Sequence, residues 1–229
     1  TNRPWRLTRR VFGLTLWRTL LHILGIGLMF SALRFLPLAD AIAIAFVMPF
    51  IMLLLGKYVL DEQIGARRLI ACAIGFIGTL LVVQPSFVQV GWPALLPLGV
   101  ALVFALFMLV TRQIARDSDP VSLQAVSGGV ATLVLLPLLL LGDAAGFEAL
   151  RWSLPSGSTL WLVLILGVIG TLAHLMMTWS LRYAPSATLA PMQYLEIPFA
   201  TVIGWLIFAD LPNGLAALGI AITLAAGLY

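Results

Sequence analysis

The sequence predicts an all-α integral membrane protein of about eight transmembrane helices. Three observations carry that prediction: the composition, the length of its apolar segments, and a one-sided distribution of basic residues. The chain has 229 residues, of which 62% are hydrophobic and only 10% charged, with a mean hydropathy of +1.09. Soluble domains carry about 25% charged residues. A soluble chain this apolar would expose more greasy surface than water tolerates, so a bilayer is the solvent that fits.

Eight apolar segments follow one another, at about Leu14–Phe35, Leu38–Leu55, Leu69–Val83, Trp92–Thr111, Leu123–Leu141, Thr159–Leu181, Ser186–Phe208 and Leu215–Leu228. A helix crosses the hydrocarbon core in about 20 residues, with a range of about 17 to 25. The third and eighth are a little short. None shows the period-2 alternation of a barrel strand, and lipid tolerates no open strand edge.

Alternating the segments across the bilayer sorts the charges. One side receives ten basic residues, Arg3, Arg6, Arg9, Arg10, Lys57, Arg67, Arg68, Arg112, Arg116 and Arg182; the other receives two, Arg34 and Arg151, while Arg18 lies within the first segment. The basic side is therefore expected to be cytoplasmic. A missed or invented span would scramble this bias, so the bias also supports the segment count.

Connections are short except that from Gly142 to Ser158, which holds Asp143, Glu148, Arg151 and Trp152 and is expected outside. Asp119-Pro120 reads as a helix start, with an N-cap acceptor followed by proline in the first turn. Cys72 is the only cysteine, which excludes an intrachain disulfide and a cysteine metal site. The net charge of +4 forms no stripe and gives no nucleic-acid signal. The basic N-terminus precedes an apolar run too long for a signal-peptide core.

The chain repeats itself. Ala32–Phe50, ALRFLPLADAIAIAFVMPF, matches Ser180–Phe199, SLRYAPSATLAPMQYLEIPF, with one inserted residue. Both run small-Leu-Arg-aromatic-x-Pro, then an apolar helix, then Pro-Phe. An acidic site follows each, Asp61-Glu62 in the first and Asp210 in the second. The charge count puts Arg34 outside and Arg182 inside, so the copies are expected to run in opposite directions. Inverted repeats of this kind characterise secondary transporters, in which exchanging the two halves' conformations alternates access.

The Arg-aromatic-x-Pro turn, the penultimate helix containing Glu-x-Pro, and the acidic residue before the last helix resemble the EamA-type drug/metabolite transporter superfamily. The resemblance covers nearly the whole chain. It implies a ten-helix fold of two inverted five-helix repeats that carries small metabolites through a central cavity. Against that pattern this chain lacks the first two helices: residues 1–88 form a partial first repeat of three helices, and residues 89–229 a second repeat of five.

Glu196 is the leading candidate for a binding role. An acidic side chain at mid-helix costs about 2.5–3.5 kcal/mol on insertion scales, so it should face a cavity or a partner. Two readings are open: a substrate or proton site, or a structural carboxylate hydrogen-bonded to a tyrosine or to backbone freed at Pro198. Gln193 lies three residues earlier on the same helical face, and Tyr194 adjoins it. Pro191 and Pro198 bracket this turn and each removes a backbone donor. Met48, before Pro49, holds the equivalent place in the first copy, as cavity wall or as packing.

His174 and His22 lie within spans. Either can relay a proton or contact substrate, or be a neutral ring packed on a neighbouring helix. Thr171 and Thr178 share the face of His174. Candidate substrate-binding residues are thus Glu196, Gln193, Tyr194, His174, Thr178, His22 and Met48. Two histidines in different spans do not make a metal site, and no cofactor is expected. Arg18 is expected to snorkel to the cytoplasmic interface, and Asp40 to serve a helix start. Trp179 and Tyr183 read as interfacial belt residues. Asp61, Glu62, Lys57, Arg67 and Arg68 read as a solvated turn. Ala71-x-x-x-Gly75 and Gly167-x-x-Gly170 read as internal packing.

No hydrolase elbow, Walker loop or H-E-x-x-H motif occurs. The expected function is secondary transport of a small metabolite across a bacterial-type inner membrane, by alternating access, with Glu196 available for proton coupling. The expected partners are that metabolite and membrane lipids. Two alternatives stay open: a membrane enzyme acting on a lipid-like substrate, which calls for acidic or histidine residues clustered at one membrane face, and a truncated, non-transporting homologue.

Overall fold

The computed structural model describes residues 8–85, 91–144, 146, 155–209 and 212–228. Arg3, Arg6, Glu148, Arg151, Trp152 and Asp210 lie outside them. The described residues form ten α-helices and two short 3-10 turns, with no strand. They are α1 (Arg9–Ala32), α2 (Leu38–Ala45), α3 (Met48–Leu60), α4 (Ala66–Val83), α5 (Leu95–Ala115), α6 (Pro120–Ala144), α7 (Ser158–Tyr183), α8 (Ser186–Leu189), α9 (Glu196–Phe208) and α10 (Gly214–Leu228).

Among the described residues six stretches are long and apolar enough to cross a membrane, and α10 is a shorter apolar helix. The seventh segment is the broken run α8, a 3-10 turn at Pro191–Leu195, and α9. The expected segments are thus all helical. The second is divided as well, into α2 and α3, at Phe46-Val47. Proline explains both breaks, because Pro49 and Pro198 cannot donate to the preceding turn.

The two sequence copies fold alike. Pro37 and Pro185 precede their first helices with nearly the same backbone, φ −55°, ψ 147° and φ −58°, ψ 149°. The longer helices, α3 and α9, have 13 residues each. Each ends on a non-glycine residue in the left-handed region, Asp61 at φ 53° and Ala209 at φ 58°. At α6 the Asp119 carboxylate accepts from the Ser122 amide at 3.0 Å, as the Asp-Pro start predicts.

The chain divides into two compact units that cut across the copies: residues 1–20 with 110–183, and residues 21–109 with 184–229. In the second unit α4 packs closely on α10. A Cβ on Gly219 would stand 2.6 Å from the Gly78 carbonyl oxygen, and one on Gly78 would stand 3.0 Å from the Gly219 oxygen. Backbone meets backbone here, so only glycine fits at either place. Gly75 receives the Tyr194 ring in the space its Cβ would fill.

In the first unit Val11, Ile114 and Leu123 form an apolar cluster. Added Cβ atoms at Gly167 and Gly170 meet nothing within 4 Å among the described residues, so the internal packing expected at that spacing is not found among them. Arg18 departs further from expectation. It does not snorkel: it is buried, with Nε donating to Thr111 Oγ1 at 2.9 Å and Nη1 to Ser127 Oγ at 2.7 Å. A guanidinium this deep keeps its charge by exchanging water for hydroxyl acceptors.

Candidate functional site

The second unit contains a cavity of about 390 Å³ whose wall brings together Gln193, Glu196, Met48, Phe46 and Phe104. Met29 of α1, Leu38 and Ile42 of α2, and Ala101 of α5 also line it. The volume falls within the range of small-molecule sites, about 300–1,000 Å³, and the wall has their usual character of mostly apolar groups with a few polar ones.

Local sequence dictates how the polar groups arrive there. Pro191 starts the 3-10 turn and Pro198 prevents a regular helix from running through it. The turn delivers Glu196 as the first residue of α9. Glu196 is exposed, and the space it faces is the cavity. Gln193 is half-buried, and its Nε2 rests 3.7 Å from the Met52 sulfur. Met48 is half-buried at the start of α3, so the two copies contribute their equivalent turn residues, Met48 and Glu196, to one wall.

Tyr194 has a different position. It is fully buried, stacked on Phe46 with ring centroids 5.9 Å apart, and its hydroxyl donates to the Phe46 carbonyl at 3.2 Å. It stands behind the wall and holds it. His22 is also one layer back. Its ring lies 6.0 Å from Phe104, edge-on, and 5.2 Å from Phe107; Phe104 itself faces the cavity.

His174 and Thr178 belong to the first unit, on α7. Thr178 is buried, and its hydroxyl donates to the His174 carbonyl at 2.8 Å. The hydroxyl of Thr171 likewise turns back, to Gly167 O at 2.8 Å. These threonines satisfy their own helix. Trp179 and Tyr183 are exposed, and Asp40 is buried in the first turn of α2.

Sequence reading passed over Phe46, Phe104, Met29 and Ala101. Nothing in the sequence marks them, because apolar residues are the background of every span. Glu62, read with its neighbours as a solvated turn, is more than that. Its Oε1 accepts from the Ser186 amide at 3.1 Å, and its Oε2 from the Ser186 hydroxyl at 2.7 Å and the Ala187 amide at 2.9 Å. Among the described residues no group of three or more His, Cys, Asp or Glu could hold a metal ion.

Comparison with known proteins agrees with the resemblance read from the motifs. The chain is 31% identical to a riboflavin transporter of Rhizobium johnstonii, over 100% of this chain and 70% of the relative. It is 30% identical to a riboflavin transporter of Vibrio cholerae, over 94% of this chain and 70% of that one. An S-adenosylmethionine uptake transporter of Rickettsia felis is 25% identical, over 93% of this chain and 71% of the relative. A solved crystal structure shares the fold, with a TM-score of 0.77 at 21% identity, covering 97% of this chain and 76% of that one. The model of the EamA-like transporter family matches residues 2–84 and 91–228. This multi-pass membrane protein therefore belongs to the EamA-like transporter family.

Proposed function

We propose that this protein is a secondary transporter that carries a planar, heteroaromatic metabolite of the riboflavin type across a bacterial inner membrane by alternating access. The cavity that joins Glu196 and Gln193 to Phe46, Phe104 and Met48 carries the reading. Riboflavin has a flat ring system with polar edges. Aromatic faces and a thioether suit the ring, and a carboxylate with an adjacent amide suits an N–H donor and a carbonyl acceptor on its edge.

In this reading Glu196 and Gln193 orient the solute, and Phe104 and Met48 enclose its ring. Tyr194 and His22 stiffen the wall from behind. Glu196 also carries the exchangeable proton if uptake is proton-coupled. The two copies act as opposed halves, in the three-helix and five-helix division at residue 88. That copies of one turn supply Met48 and Glu196 to a single wall supports this, since alternation needs both halves to touch the solute.

The test is uptake of labelled riboflavin into proteoliposomes containing the full-length protein, with and without a pH gradient. S-adenosylmethionine serves as a competitor. Saturable riboflavin uptake that collapses in the Glu196→Gln, Gln193→Ala double variant is the expected result. Uptake no faster than in empty liposomes, for both solutes, sinks the substrate reading.

A further inference from the structure

The two copies begin their broken helices in opposite conditions. Leu38, first residue of α2, is 58% exposed and lines the cavity. Ser186, first residue of α8 and its sequence equivalent, is fully buried. What closes the second start is Glu62. Its two oxygens take the Ser186 amide, the Ser186 hydroxyl and the Ala187 amide. A carboxylate accepting several donors out of water makes strong, charge-assisted bonds.

The turn that carries Glu62 is built for this grip. α3 ends with Asp61 in the left-handed region, and the Glu62 amide donates back to Gly56 O at 2.9 Å. The side chain then folds over Gly56. A Cβ there would stand 3.0 Å from Glu62 Oε2 and 3.1 Å from Ser186 Oγ. Glycine at residue 56 lets the end of α3 and the start of α8 close on one carboxylate.

We propose that Glu62 is a positioning residue for transport, a latch that holds the basic, predicted cytoplasmic end of this unit shut while the Leu38 end is open. The inference rests on the alternating-access reading. If access alternates, the start of α8 must at some stage become as open as that of α2 is here, and the grip of Glu62 on Ser186 and Ala187 must break. Arg67 and Arg68 face Thr188, Pro191 and Met192 of the second copy across a small pocket, and Glu62 hydrogen-bonds to that copy directly.

The test uses the full-length protein with Cys72 replaced by alanine. Ile42→Cys, on the cavity wall, reports opening through its reaction with a membrane-impermeant thiol reagent added outside cells. Glu62→Ala loosens the latch, and external labelling of the reporter is expected to slow roughly tenfold, the scale of losing one such contact. Glu62→Gln, which keeps an acceptor, should fall between it and the parent. The opposite perturbation is the Gly56→Cys, Ser186→Cys pair. The 3.1 Å from the Gly56 Cβ position to Ser186 Oγ matches the span of about 3 Å from a Cβ to the far sulfur of a disulfide. Oxidised, this pair should abolish riboflavin uptake while external labelling persists, and reduction should restore uptake. Cross-linked protein that transports at the parent rate, uptake that does not return on reduction, or Glu62→Ala labelled as fast as the parent overturns the latch. A parent that labels but moves no solute counts against the transport reading instead, because the labelling comparison is read without flux.

Discussion

Tyr194 and Phe46 hold the same place in the two sequence copies, eight residues after Ser186 and Leu38, and they meet face to face. The rings stack at 5.9 Å and 23°, and the Tyr194 hydroxyl donates to the Phe46 carbonyl at 3.2 Å. That carbonyl is available because the helix breaks there: Phe50, its regular partner one turn on, donates to Val47 O at 3.1 Å instead. The second copy's tyrosine thus completes the first copy's break.

Tyr194→Phe should therefore keep the stack and lose only the bond. A net hydrogen bond contributes about 1 kcal/mol, which in a chain of this length lowers the melting temperature by roughly 2–4 °C. Tyr194→Ala should cost about 3–5 kcal/mol, since it also empties a buried aromatic site. Thermal unfolding of the purified full-length variants, followed by tryptophan fluorescence, gives both values. An equal fall for the two would mean that the ring contributes nothing.

The glycines divide into two groups with opposite expectations. Gly219→Ala drives a Cβ to within 2.6 Å of the Gly78 carbonyl oxygen, and neither backbone can yield without separating α4 from α10. Overpacking of this kind costs about 1–3 kcal/mol. Gly167→Ala on α7 meets nothing within 4 Å and should lie within about 1 kcal/mol of the parent, on the stabilising side. Melting temperatures of the two alanine variants, measured side by side, decide it.

How far the sequence carries can be judged from particular residues. The spans, the proline breaks and the start at Asp119-Pro120 were legible because each depends on local chemistry: apolar length, a missing amide, a short acceptor side chain. Glu196, Gln193 and Met48 were legible as well, because polar or equivalently placed residues stand out against an apolar background. Phe104 was not, since one phenylalanine among many is distinguished only by which neighbours it meets. Tyr194 was read as facing the solute because it adjoins Gln193, but the 3-10 turn rotates it towards Gly75. Arg18 was misplaced for a related reason. Its sequence position allows either an interfacial or an interior guanidinium, and what decides between them, Thr111 and Ser127, lies about a hundred residues away.

Arg18 yields a sharp expectation of its own. Thr111→Val removes the acceptor of the Nε–H while nearly keeping volume, leaving a buried charged donor short of a partner. The cost should be about 1–3 kcal/mol. Thr111→Ser, which retains the hydroxyl, should recover most of it. If the valine variant unfolds at the parent temperature, the bond at 2.9 Å is not what holds the guanidinium.

Glu196 separates two roles that a simple loss of activity would merge. If its carboxylate only binds the solute, Glu196→Gln keeps an acceptor of the same shape, and riboflavin uptake should show a raised KM, by about tenfold, with its response to a pH gradient intact. If the carboxylate also carries the coupling proton, the glutamine variant cannot release one. Downhill exchange of riboflavin should then survive, while stimulation by the pH gradient disappears. Phe104→Ala supplies the contrast, since it removes aromatic area from the wall and touches no proton. It should raise KM at every pH and leave the gradient response unchanged. Uptake into proteoliposomes across pH 5.5–8 for the parent and both variants resolves the cases. A glutamine variant that matches the parent in KM and in gradient response would remove Glu196 from the site altogether.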